Sequence, residues 1–548
     1  MGVLKTFHSN RFSMKKHYAK TPLFNTLRKA FGLALAADEQ NTTAEEIVQR
    51  QEEYSRSRRR FLQNTGKTLV GASLMPNLLL SGKAQAANRL LQLGIMPKIA
   101  IVGGGIAGLN ALHTLKKHNL DATLYESSGR TGGRMFTVQG AMGEGTWTEF
   151  GGEFIDTDHK DLWDLANEFT LELMDYEGAS EQKLIKEAYF FNGKHYSLAQ
   201  LVEAFRPIAR RMKADMDKLP EEISYQTKDP FTRKLDRTSV SAYLTSIGAV
   251  GWIKRFIEVA YEAEYGLSPK VQSSINLLIL ISPEIKDGKM ELFGVSDERY
   301  KVRGGNQSIP DALAKKYTNH IESNRTLESV RTKGAQYALY FSGTAEEVMA
   351  DYVVLAIPFT VMRRSVSLEL EMPAVKRNCI NQLGFGTNAK LMIGTQGHIW
   401  RGLGYSGLSY SDNGIPNGWD NAQLQTADGA AAGLSILFGG STGIAIGKGS
   451  PEHQKDIYLP KWDQIFKGTA AAFNGRVARM HWPSYPHALG SYVCPTVGQY
   501  TSLVGVEQMP LGNVFFAGEH CGGDFSGFMN GAAKSGREAA EAIVARVG

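Results

Sequence analysis

Cysteine is scarce in this sequence: Cys379, Cys494 and Cys521 are its only three among 548 residues. They lie far apart, form no CxxC pair and have no histidine cluster beside them, so neither a zinc site nor a disulfide framework is expected. Also missing is any run near the roughly 20 apolar residues that a spanning helix requires. With no hydrophobic tail before Gly548, a soluble body is the expectation. A general basic excess is missing too. The formal charge is +6, yet the first 86 residues hold 14 Lys/Arg against 6 Asp/Glu, which leaves the remainder at −2. That distribution argues against nucleic acid as a partner of the body. What remains, 43% apolar and 21% charged residues, is an ordinary globular composition long enough for two domains.

The basic surplus belongs to residues 1–86, which read as a leader. Ser57 is followed by Arg58, Arg59, Arg60, Phe61 and Leu62, the arginine pair and apolar pair of a twin-arginine export signal. A weakly apolar run from Leu69 to Leu80, then Lys83 and the small-x-small arrangement Ala84, Gln85, Ala86, places a cleavage site before Ala87. The expectation is export of the folded protein by the twin-arginine machinery, to the periplasm or beyond the cell. Thr42 to Gln51 reads as an amphipathic helix, more than a bare signal needs, and implies a pro-segment or a later start.

Downstream, residues 98–102 form a short buried-strand pattern, followed at once by Gly103, Gly105 and Gly108 in GxGxxG spacing, a helical stretch from Leu109 to His118, and a second strand from Ala122 to Tyr125. In such a βαβ unit Gly103 makes the tight turn, Gly105 lets backbone approach a pyrophosphate and Gly108 lets helix pack on strand. The helix N-terminus offers unpaired N–H groups to the phosphates. Glu126, 23 residues after Gly103 at the strand end, is placed to accept ribose hydroxyls. A second loop, Gly129, Arg130, Gly132, Gly133 and Arg134, suits a permanently held dinucleotide, with Arg134 donating charge-assisted hydrogen bonds. FAD therefore fits better than NAD. Residues 513–519, with Gly518 and Glu519, read as a late strand and turn, and 526–547 as a closing helix.

Taken together these motifs resemble the flavin amine oxidase family, which includes monoamine, polyamine and L-amino-acid oxidases. The resemblance runs from about Pro97 to Gly548. It rests on the elements above together with Phe150, Gly151 and Gly152, then Arg303 to Asn306, Val354 to Pro358, Lys390, Trp400, Gly531, Ser535 and Gly536. It implies an α/β fold: a discontinuous, Rossmann-like three-layer FAD-binding domain (96–180, 296–378 and 488–548) with an inserted α+β substrate-binding domain (181–295 and 379–487). Helical periodicity at Asp161 to Leu173 and Leu201 to Met216, and Gly-rich irregular stretches near 402–450, agree in outline. A homodimer is left open.

The resemblance also implies roles. Lys390 would hold a water against the flavin and assist reaction with oxygen. Tyr492 and Phe528 would wall the substrate nitrogen. Gly152, Val330, Glu519 and Met529 join the cofactor contacts, with the closing helix aimed at the flavin ring. No metal is expected. Ser491 stands where covalent family members place a flavin-linked cysteine, so FAD is expected to be non-covalent.

The substrate is expected to be an L-amino acid, oxidatively deaminated with oxygen reduced to hydrogen peroxide. The alternative is a primary amine, and a remote one is a flavin-free protein like the GDP-dissociation inhibitors. Carotenoid desaturase or porphyrinogen oxidase chemistry is less well matched. Where similar L-amino-acid oxidases carry a carboxylate-clamping arginine, nineteen residues after the loop arginine, this chain has Glu153, whose charge would repel a substrate carboxylate and by itself favours an amine. An amino-acid substrate then needs another cation, with Arg401 or one of Arg206, Arg210 and Arg211 as candidates, and Trp419 nearby.

Overall fold

The computed structural model describes residues 22–53, 96–178, 180–281, 284–286, 289–291 and 297–547. The twin-arginine segment and the Ala86–Ala87 junction fall outside them.

The first body strand, Ile99–Val102, is buried on both faces, as a central parallel strand must be. Ile99 and Ile101 point into a core shared with helices Ile106–Lys117 and Met529–Val547. Ala100 and Val102 point into a second core, shared with a four-stranded sheet in the order Val348–Ala350, Gln336–Phe341, Leu327–Lys333, Ser367–Glu369. The parallel sheet between these layers runs Ile321–Glu322, Thr123–Tyr125, Ile99–Val102, Tyr352–Leu355, Val514–Phe516. This is the three-layer dinucleotide-binding architecture the motifs imply. Its strand order reverses at Ile99–Val102, so a crevice opens beyond the carboxyl ends of the strands. Close approach holds the layers together: a Cβ on Gly108 would sit 1.9 Å from the Gly103 carbonyl oxygen, and one on Gly536 1.9 Å from that of Ala107.

The inserted unit is a seven-stranded mixed sheet, in the order Phe473–His481, Ala389–Gln396, Ala431–Phe438, Asn417–Asp420, Tyr405–Ser411, Ile185–Phe191, Lys194–Tyr196. Helices Leu198–Met216, Gly251–Tyr265 and Ser274–Ile281 cover one side. Three of those strands arise from 402–450, where irregular structure is expected from the glycines. There the glycines serve contact instead: a Cβ on Gly418 would meet the Trp462 ring at 2.4 Å. Helix Ala374–Gln382 still packs with the dinucleotide unit through Cys379 and Ile380, so the insert resumes after it. The helix expected over 161–173 is Lys160–Glu168, followed by strand Leu173–Asp175.

The largest departure concerns the leader. Helix Pro22–Glu39 and the helix at 44–53 are built into the insert, with Leu27, Ala30, Phe31 and Ala34 fully buried against Phe205, Phe256 and Leu277. Arg28 donates to the Leu280 carbonyl at 3.0 Å, and Asp38 receives Arg206 and Arg210, each at 2.8 Å. They read as leader in the sequence because they precede the twin-arginine motif and the expected cleavage site; they themselves hold three Lys/Arg against six Asp/Glu, and their apolar face is a core face. No helix among the described residues is long and apolar enough to cross a membrane. Replacing Phe31, which packs edge-on against Phe205 at 5.9 Å, with Ala is expected to cost about 3–5 kcal/mol of stability in denaturant unfolding. Wild-type stability in that variant would show that the helix is not part of the folded core.

Candidate active site

The crevice is a cavity of about 520 Å³ running from the glycine motif to the insert. Its first stretch is built from backbone. Gly105 caps helix Ile106–Lys117 without any side-chain hydrogen bond, so the helix's first N–H groups face the cavity. A Cβ added to Gly105 would meet no atom nearer than the Gly133 Cα at 3.9 Å; it would occupy the cavity itself. Gly133 adopts a left-handed backbone, φ +57°. This is a cradle for phosphates.

Glu126 is buried at the next strand's end, with Oε2 accepting from Gly104 N at 2.6 Å and Oε1 from Ser128 N at 2.8 Å. Oε1 also accepts from the Ser128 hydroxyl at 2.8 Å, so the lone pair left for a ribose is on Oε2. Arg134 borders the cavity; one of its nitrogens donates to the Ser491 carbonyl and, at 2.9 Å, to Glu519 Oε1. Glu519 thereby orients Arg134 and reaches Val493 N at 3.3 Å. Val330, expected at the cofactor, is instead buried in the core beneath the four-stranded sheet; Arg325, Thr326 and Leu327 line the cavity there. Gly108 stays in its packing role, away from the lining.

At the opposite end Gly151, Gly152, Lys390, Tyr492, Gly518 and Met529 come together. Met529 opens the closing helix, and its sulfur would lie 2.5 Å from a Cβ on Gly152. The residues present fit a flavin dinucleotide: backbone cradle, ribose acid, and a wide wall under a helix N-terminus. Among the described residues, no cysteine lines the cavity, so no thioether can form.

Tyr492 and Phe528 both border the substrate end. The Tyr492 hydroxyl donates to the Ala263 carbonyl at 3.2 Å, which fixes its ring. Phe528 is held by the edge of His159, with ring centroids 5.1 Å apart. Burial pushes the His159 imidazole down to about 4, so it is neutral packing.

The substrate end is organised by Glu153. Its Oε2 accepts from Lys390 at 2.6 Å and its Oε1 from Lys301, a residue only 1% exposed. Burial alone would raise this carboxyl, but Lys301 and then Lys390 outweigh burial and hold it below the ordinary carboxylate value. The repulsion expected between Glu153 and a substrate carboxylate is therefore offset, since two ammonium groups stand against the Glu153 carboxylate. Lys390 also donates to the Gly151 carbonyl at 2.8 Å and that of Glu149 at 3.1 Å. An ammonium has three donors, so all are engaged by protein and none is left to hold a water against the flavin. What Lys390 presents to the cavity is a fixed positive charge. The neighbouring Glu149 carboxyl is pushed up to about 7, by burial and then by Glu153.

The proposed carboxylate cations lie elsewhere. Arg401 forms a double hydrogen bond with Glu181, both at 2.9 Å, and does not line the cavity. Arg206 and Arg210 serve Asp38, and Arg211 donates to the Ile247 carbonyl at 3.1 Å. Trp419 does border the cavity, under Lys390 at 5.2 Å from the ring centroid. Nothing in the linear sequence marks Glu298 as a cavity residue, and Lys301 is marked only weakly. For Lys301 the available signal was a lysine flanked by Tyr300 and Val302 in a short strand directly before the Arg303 to Asn306 turn.

Removing one partner of a buried ion cluster leaves uncompensated charge. Lys301→Met is expected to lose about 3–5 kcal/mol of stability, and adding Glu153→Gln to that variant to restore part of it. Strictly additive losses in urea unfolding would contradict the coupling.

A model of the family described as flavin containing amine oxidoreductase matches residues 106–544. An amine oxidase of Danio rerio is 22% identical over 461 residues, covering 82% of this chain and 86% of its own. An L-amino acid dehydrogenase of Synechocystis is 23% identical, covering 81% and 94%. A cyclohexylamine oxidase structure from Brevibacterium oxydans superposes with a TM-score of 0.71 at 19% identity, covering 82% of this chain and 99% of that one; a putrescine oxidase gives 0.69 at 18%, covering 82% and 100%. The last two likenesses concern the fold. Matched over most of its length and carrying a dinucleotide cradle that fits the cofactor, the chain belongs to the flavin-containing amine oxidoreductases and uses FAD.

Proposed function

We propose that the protein oxidatively deaminates an L-amino acid to an imino acid, which water hydrolyses to a 2-oxo acid and ammonia. The observation that carries this reading is the pairing of Glu153 with two lysines, Lys390 on the cavity wall and Lys301 behind it, which removes the charge that would repel a carboxylate without an arginine clamp. Trp419 adds an indole N–H, buried and without a partner, as a donor to that carboxylate. FAD, when bound, supplies a two-electron acceptor for the C–N bond, and oxygen reduced to hydrogen peroxide closes the cycle. Tyr492 and Phe528 flatten the approach of the amine and exclude water. The likeness to an L-amino acid dehydrogenase over 94% of that protein supports the reading.

A second reading, oxidation of a primary amine, draws on the absence of any arginine among the described residues at the substrate end and on the amine oxidases among the relatives. Peroxide release from amino acids paired with their decarboxylated amines, such as phenylalanine with phenylethylamine, decides between them. The acid is expected to be preferred within each pair; peroxide from the amines alone would establish the second reading.

We also propose export by the twin-arginine route, from the sequence of 57–62 and 84–86. Burial of residues 22–53 sets a condition: cleavage after Ala86 must leave that segment bound. Mass spectrometry of the exported protein is expected to find the N-terminal fragment co-purifying with the body. An exported body that starts at Ala87 and lacks the fragment would overturn this.

A further inference from the structure

Behind the substrate end lies a side chamber of about 170 Å³, sharing Phe154, Glu298 and Trp419 with the main cavity. These three residues form the partition between the two spaces. The chamber is rich in carboxylates, and nearly all are committed. Glu177 pairs with Lys186 at 2.6 Å, and Glu181 is taken by Arg401 and by Gln423 at 2.8 Å. Asp420 accepts from His398 at 2.8 Å, and Asp297 from Thr157 N at 2.9 Å.

Glu298 differs. It is only 7% exposed, yet neither carboxylate oxygen has a hydrogen-bond partner. Its backbone is left-handed, φ +49°, an unfavourable conformation for a side chain of this kind. That conformation is held by its own N–H, which donates to Asp156 Oδ1 at 2.8 Å. The fold thus bears both backbone strain and the cost of a buried carboxyl without a hydrogen bond, offset only by the charge of Lys186, which lines the same chamber but is paired with Glu177. The Tyr176 hydroxyl, also lining the chamber, is likewise buried and without a partner. Burial raises the Glu298 carboxyl well above its ordinary value, with Asp156, Glu264 and Asp297 adding to the effect and Lys186 opposing it. Such a group ionises when a cation arrives.

Building on the amino-acid reading above, we propose that Glu298 binds a second, distal cation of the substrate, an ammonium or guanidinium, so that the preferred substrates are basic L-amino acids. The α-amino group would face the Tyr492 and Phe528 walls and the carboxylate the lysine cluster; the side chain would enter the chamber by parting the Phe154 and Trp419 rings, which meet edge to face with centroids 6.0 Å apart. A hydrogen-bonded ion pair formed in a buried setting is the strong kind.

The test uses the FAD-loaded protein and four compounds that separate the two charges: L-lysine, L-norleucine, 1,5-diaminopentane and pentylamine. Wild-type kcat/KM is expected to favour L-lysine over L-norleucine at least tenfold, and Glu298→Gln to bring that ratio near one. A second readout avoids turnover: 5-guanidinopentanoate, which has the cation but no oxidisable amine, should bind at least tenfold tighter than hexanoate by perturbation of the flavin spectrum. That preference should vanish in Glu298→Gln. Equal rates for L-lysine and L-norleucine in the wild type, or a ratio that survives the substitution, overturn the inference. If 1,5-diaminopentane outruns L-lysine and still depends on Glu298, the cation site stands and the amino-acid reading falls.

Discussion

The active-site end of this protein depends on one buried carboxylate and the two lysines that neutralise it. Glu153 follows the glycine pair of the dinucleotide unit, Lys301 lies on the strand that returns from the insert, and Lys390 sits in the insert's own sheet. One cluster therefore fastens three segments that are distant in sequence. Desolvating three charges is costly, and the arrangement survives because every Lys390 donor and both Glu153 oxygens are satisfied.

The same cluster sets the shape of the cavity. The Lys301 ammonium lies 4.6 Å from the Phe154 ring centroid and 4.9 Å from that of Tyr176, while Lys390 covers Trp419. Phe154 and Trp419 border both the main cavity and the side chamber, and Tyr176 borders the chamber, so the same charges hold the partition between the two spaces. Glu298, just beyond, is the counterpart: a carboxylate as buried as Glu153 but with no lysine hydrogen-bonded to it.

Much of the dinucleotide unit was legible because its chemistry is local. Gly103, Gly105, Gly108 and Glu126 act within one βαβ unit, where spacing alone fixes geometry, and Arg134, Gly152, Tyr492, Phe528 and Met529 meet at the cavity the family resemblance implies. What stayed hidden was non-local. Glu153 looks like a repulsive charge until Lys301, 148 residues away, is brought to it by the fold. Arg401 looks available until Glu181 is seen to occupy it. Helix Pro22–Glu39 reads as leader because the helices that bury it lie beyond residue 197. Glycines at 407, 418 and 433 suggest irregularity in sequence, whereas sheet packing against bulky neighbours is what requires them.

This cavity is proposed to bring an amine-bearing substrate against bound FAD on a wall fixed by the lysine cluster. That role is tested most directly by anaerobic stopped-flow mixing of the FAD-loaded protein with amino acids and amines, following the visible flavin absorbance. The account predicts rapid bleaching by at least one L-amino acid, with colour restored when oxygen is admitted. A protein that carries FAD yet stays oxidised with every amine and amino acid offered would contradict it.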